Sequence, residues 1–172
     1  MRRVNNIMTL FIISFVLLSF ASVKSGYGQL VRSLEASNEL PSYLKGFEAD
    51  RPMVVVEQNR DEEYISISRI FYRPQNDEII QITFKDYSVN PKSYQKQLSR
   101  LKKLKKEDNN TSVSRYKGNL MNRERRENYI EKGLYLGQNK AVEIVHEGAI
   151  SDTTLSTILL NRLDLELVKA KL

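Results

Sequence analysis

The chain has 172 residues, of which 41% are hydrophobic and 28% charged, with a formal charge of +6, one histidine and no cysteine. The missing cysteine excludes disulfides, Cys/His catalysis, the usual zinc sites and a lipid-modified cysteine anchor.

Residues 1–28 read as a signal peptide. Arg2 and Arg3 form a short positive start, Ile7 to Val23 is an uncharged and mostly apolar run, and Gly26, Tyr27 and Gly28 give the small-x-small pattern a signal peptidase accepts. Cleavage is expected before Gln29, with a second candidate cut after Ser25. The alternative is a retained inner-membrane anchor over residues 7–23, since roughly 20 apolar residues cross a bilayer. Cleavage implies a periplasmic or secreted protein. It also removes Arg2, Arg3 and Lys24 but no acid, lowering the charge from +6 to +3. Nucleic acid is then not an expected partner. Residues 29–172 have the length of one domain, enough to bury a core without staples.

In chain order, Leu30, Val31 and Leu34 give a weak helical stripe, and Pro41 to Gly46 fits a single helical turn ended by glycine. Phe47 is expected in the core. Met53 to Val56 reads as a strand, stopped by the polar run Gln58 to Glu63. Tyr64 to Arg73 and Glu78 to Tyr87 form a long β-hairpin around the turn residues Pro74, Gln75, Asn76 and Asp77. Ile80, Ile82 and Phe84 alternate with Gln81, Thr83 and Lys85, giving one apolar face. Phe71 and Phe84 are expected in the core. Tyr64, Ser66, Ser68, Ile70 and Tyr72 share a face that reads as a packing surface, with a shallow groove as the alternative.

Asn90 and Pro91 announce a helix over residues 91–106, asparagine as N-cap and proline at the first helical position. Tyr94, Leu98, Leu101 and Leu104 lie along one side of it, while Lys92, Lys96, Arg100, Lys102, Lys103, Lys105 and Lys106 cover the rest. The simpler reading is a solvated face whose lysine stems help cover apolar surface. The sharper reading brings Lys96, Arg100, Lys103 and Lys106 against an anionic membrane surface or an acidic partner.

Beyond the helix, Asn109 and Asn110 carry overlapping glycosylation sequons, Val113 to Tyr116 makes a short strand, and Gly118 breaks it. The charged stretch Asn122 to Asn128 shows no useful period. Leu134 and Leu136, a turn over Gly137 to Lys140, and Ala141 to His146 form a second hairpin, with Val142, Ile144 and His146 on one face. Ser151 or Asp152 can cap a final helix along Leu155, Ile158, Leu159 and Leu163. Leu163, Leu165 and Leu167 alternate with Asp164 and Glu166, so the tail can leave that helix as an extended run.

The residues offer little chemistry. His146 is the lone histidine, no serine occupies a Gly-x-Ser-x-Gly elbow, and a histidine on a mixed strand face reads as structural. Asp61, Glu62 and Glu63 lack the spacing and turn glycine of a calcium loop. No glycine-rich phosphate loop occurs. No catalytic, cofactor-binding or metal-binding residue is therefore assigned, no cofactor is expected, and the chain reads as a non-enzyme.

These elements define an α+β protein: an antiparallel sheet of about five or six strands with helices packed on it. The order of the hairpin ending in Phe84, Lys85 and Asp86, the amphipathic helix, the strand at Gly118, the strand Val142 to Val145 and the closing Leu163, Asp164, Leu165 resembles small exported bacterial domains of unknown function with a Mog1/PsbP-like layout. The resemblance implies a binding or accessory domain and carries over no functional residue. The stretch Asn122 to Asn128 departs from it and leaves the middle registers open. The expected function is that of an exported, non-enzymatic accessory or partner-binding protein. The alternative is a membrane-surface protein that uses helix 91–106 on anionic lipid.

Overall fold

The computed structural model describes residues 28, 31–58, 63–104, 110–150 and 153–172. Residues 1–27 of the predicted leader, Leu30, Asp61, Glu62, Lys105, Lys106, Asn109 and the caps Ser151 and Asp152 lie outside the described residues.

The hairpin forms as its turn chemistry demands. Strand β3 (Glu63–Arg73) pairs antiparallel with β4 (Glu78–Asp86), and Asp77 takes the left-handed conformation that closes the turn. On the amino-terminal side, β1 (Glu48–Ala49) and β2 (Met53–Gln58) lie one after the other along the free edge of β3. On the other side comes a second meander: β5 (Thr111–Tyr116), β6 (Asn119–Arg126), β7 (Tyr129–Gly137) and β8 (Lys140–Glu147). The order β1-β3-β4-β8-β7-β6-β5, with β2 also on β3, makes one eight-stranded antiparallel sheet. The helix α2 (Pro91–Lys103) carries the chain from β4 to the far edge, after which each strand returns toward the centre by a tight turn.

Alternation divides the sheet into two faces. The inner one holds Ile67, Phe71, Ile80, Ile82, Phe84, Leu134, Val142 and Ile144, all buried. It is covered by helical residues 31–36 (α1), by α3 (Leu155–Arg162) and by α4 (Leu165–Lys171), through Ala36, Leu159, Leu160, Leu163, Leu165 and Val168. Arg69, a polar residue on this face, donates to the carbonyls of Leu40 (3.3 Å) and Pro41 (2.7 Å), satisfying the chain where it leaves α1. Gly148 follows β8 with φ +93°, and a Cβ there would come 2.2 Å from the Asp77 carbonyl oxygen, so only glycine lets the chain pass the hairpin turn.

The fold class is as expected, but there are eight strands where five or six were expected. The charged stretch Asn122 to Asn128 supplies most of β6 and its turn to β7. An outer strand with a long partner on each side needs no apolar alternation to pair. Three local expectations are also corrected. Val31 and Leu34 are exposed, and Ser33, Ala36 and Leu40 form the buried side of the first segment. No helical turn spans Pro41 to Gly46: the 3-10 turn falls earlier, at Ser37–Glu39, because Pro41 pushes the residue before it into an extended conformation. The tail is extended only at Leu163 and Asp164. The Asp164 side chain then accepts from the Leu167 amide (3.0 Å) and starts α4. Among the described residues no helix is long and apolar enough to cross a membrane.

Candidate functional site

The outer face of the sheet is polar over much of its area and carries α2 near one end. Tyr94 anchors the helix. Its ring lies 5.7 Å from that of Tyr87 and 5.8 Å from that of Tyr135, and Tyr87 in turn lies 4.9 Å from Tyr64. The Tyr94 hydroxyl accepts from the Gly137 amide at 2.9 Å, so the aromatic row also fixes the helix against the β7–β8 turn. Burial pushes the Tyr94 phenol above its ordinary pKa. Asn90 stands at the expected N-cap position, but its side chain does not cap the helix. It donates instead to Glu63 (3.3 Å) and fastens the helix start to β3.

This docking directs the charged side outward. Lys92, Lys96, Arg100, Lys102 and Lys103 are exposed, and α2 contains no acid. Of the four residues singled out for an anionic contact, Lys96, Arg100 and Lys103 follow at spacings of four and three and share one side of the helix. Lys106 lies outside the described residues. The helix is assigned to Lys103, three residues short of the predicted end, and Leu104 beyond it is 45% exposed.

Between the last turns of α2 and the sheet is a cleft of about 390 Å³. Its roof is Gln97, Arg100, Leu101 and Leu104; its floor and walls include Lys85, Asn122, Tyr135 and three glutamates, Glu124, Glu131 and Glu143. The space arises partly from Gly133 in mid-strand, directly opposite Asn122 on β6 and Glu143 on β8. The Asn122 side chain lies over this glycine, where a Cβ would come within 2.3 Å of its oxygen.

Each glutamate has an internal partner. Lys85 pairs with Glu143 at 2.7 Å while its ammonium sits 4.9 Å from the Tyr64 ring centre. The Tyr129 hydroxyl donates to Glu131 at 2.6 Å, and burial together with that carboxylate holds the phenol protonated well above its usual range. Arg126 pairs with Glu124 at 2.5 Å. Among the described residues no three histidine or carboxylate side chains converge closely enough to hold a metal ion.

His146 sits apart from the cleft, fully buried on the inner face, with Nε2 2.7 Å from Glu78 Oε1. The other Glu78 oxygen receives Arg73 (2.9 Å) and Asn76 (3.2 Å). Arg73 itself donates to the Gly46 carbonyl (3.3 Å) and lies 4.2 Å from the Phe47 ring centre. The cluster ties the hairpin turn to β8 and to the segment before β1, a structural task. Tyr64 and Tyr72 also part company: Tyr64 belongs to the packing row under α2, whereas Tyr72, at the far end, donates to Asp77 at 2.9 Å.

Sequence reasoning missed the cleft, because its glutamates lie on three strands whose register only the fold supplies. It also missed Lys132 and Arg123, directly opposed cations on the inner face. No protein-family model matches the chain, and neither the curated proteins nor the solved structures yield a match.

Proposed function

We propose that the chain is an exported, non-enzymatic accessory domain that binds a protein partner through the outer side of α2, and that the partner's contact surface is acidic. One observation carries this reading. The helix presents five exposed cations without an acid, while Tyr94, Leu98 and Leu101 of its apolar stripe are already used in docking on the sheet. The cleft supports recognition over turnover, because its glutamates are engaged by Lys85, Tyr129 and Arg126.

A second reading, contact with anionic lipid, is favoured by Leu104, an exposed apolar side chain beside Lys102 and Lys103 at the helix end. One experiment separates the two. A photo-crosslinking residue at position 103 is compared with one at exposed Arg115 on the β5 edge, in the host, with and without charge reversal of Lys96, Arg100 and Lys106. The protein reading expects a discrete protein adduct from position 103 alone, lost on charge reversal. The lipid reading expects salt-sensitive binding to anionic vesicles, lost on the same reversal. Neither adduct nor vesicle binding overturns both.

A further inference from the structure

The two edges of the sheet differ in character. At one edge β5 presents the exposed Ser114 and Arg115. At the other, β2 reads Met-Val-Val-Val-Glu-Gln, with Met53 50%, Val55 42% and Val56 59% exposed, and its outer side has no strand partner among the described residues. An exposed, apolar edge strand is a template for another strand unless charge or proline blunts it.

The phase of the hydrogen bonds shows which groups that edge offers. The Val55 carbonyl accepts from Ser66 Oγ of β3 (3.4 Å), so it points inward. The Asp50 amide donates to the Ile70 carbonyl (2.9 Å), which gives β3 the same phase. Strand alternation therefore turns the N–H and C=O groups of Val54 and Val56 outward, and with them the carbonyl of Pro52. The proline sits where its missing N–H faces the open side, as edge prolines do.

The charges flanking the valines indicate an occupant. Arg51 and Glu57 make no ion pair among the described residues. They lie three residues either side of Val54. An antiparallel copy of the same strand, carried on through Pro52 and Arg51 just before Met53 and related by a twofold axis at Val54, places Arg51 opposite Glu57 of the second copy, Met53 opposite Val55, Val54 opposite itself and Pro52 opposite Val56. The Val54 residues exchange two hydrogen bonds, and each Val56 N–H reaches a Pro52 carbonyl. The Arg51/Glu57 and Met53/Val55 pairs fall at non-hydrogen-bonded positions, where side chains approach most closely. Centring on Val55 instead would set Glu57 against Met53 and lose the match. We infer that β2 is a homotypic interface through which two copies of this chain join their sheets about a twofold axis at Val54, with reciprocal Arg51–Glu57 pairs at its ends.

A joint of this size is small for a permanent dimer, so it forms in a concentration-dependent way. The test is sedimentation equilibrium of the protein expressed with its own leader and purified as the host processes it. A monomer–dimer equilibrium is expected. Arg51→Glu and Glu57→Arg should each raise its dissociation constant about tenfold or more, and the double exchange should restore it to within about twofold. Val56→Lys, at a largely exposed position, should abolish association while leaving the circular-dichroism spectrum unchanged. A strictly monomeric protein at high concentration overturns the inference. So does a dimer indifferent to all these changes, one whose double exchange fails to recover, or a co-purifying chain lost with Val56→Lys, which would make a heterologous strand the occupant of β2.

Discussion

Glu78 Oε1 and His146 Nε2 lie 2.7 Å apart with both side chains wholly out of solvent, and the second Glu78 oxygen is held by Arg73 and Asn76. Glu78 thus joins the β3–β4 turn to the end of β8, which is 68 residues away in sequence. A buried carboxylate with this many partners tolerates burial because both of its oxygens are engaged.

Removing that carboxylate leaves His146 and Arg73 without their shared acceptor. Glu78→Ala is expected to cost about 3–5 kcal/mol, the range for breaking a buried pair. Glu78→Gln should cost less, since its amide oxygen still accepts one donor. Urea unfolding of the three proteins measures both. A loss below about 1 kcal/mol for Glu78→Ala would mean the network does not hold the turn.

The hairpin around residues 74–77 was legible because turn chemistry and period-two alternation act locally. The inner face was legible at Phe71, Ile80, Ile82 and Phe84 for the same reason. Glu78 was not: at the start of a strand it looks like any solvated acid, and its partner His146 is fixed only by the register of β4 on β8. The strand Asn119–Arg126 was hidden for a related reason. From Asn122 onward its side chains are polar on both faces, and pairing with β5 and β7 makes it a strand where its own pattern does not. The cations of α2 were legible as a group, because helical spacing alone puts them opposite Tyr94 and Leu101. The cleft below them depends on Gly133, Asn122 and Glu143, one from each of three strands, and no spacing in the chain joins those residues.

Tyr94 is the side chain on which the placement of α2 turns. Tyr94→Phe removes the acceptor for the Gly137 amide and is expected to cost about 1 kcal/mol. Tyr94→Ala also empties the space between Tyr87 and Tyr135 and should cost about 3–5 kcal/mol. Hydrogen exchange distinguishes the two. In the alanine variant, amides of residues 91–103 should lose protection selectively while those of β4 and β8 keep theirs. Uniform loss across the sheet would show that the helix is not a separable layer.

Lys132 gives a pH-dependent prediction. It is buried on the inner face opposite Arg123, and its ammonium donates to the Thr157 hydroxyl of α3. Burial first, and the Arg123 cation second, lower its pKa from 10.5 to about 8. The unfolded chain, with the ordinary value, holds a proton between about pH 8 and 10.5 that the folded protein has released. Stability contributed at this site therefore rises with pH across that window, and below pH 8 the charged lysine is a constant penalty. Lys132→Met is expected to be more stable than the native protein at pH 7, by about 1–2 kcal/mol, because it removes a buried charge that has no carboxylate partner among the described residues. The advantage should shrink as the pH is raised toward 10, where native Lys132 is already neutral in the fold. Denaturation of both proteins at the two pH values measures it, with Arg123→Gln expected to recover part of the gain at pH 7 by removing the opposing cation. A constant difference across the pH range would mean that Lys132 keeps its proton and that the gain comes from packing alone.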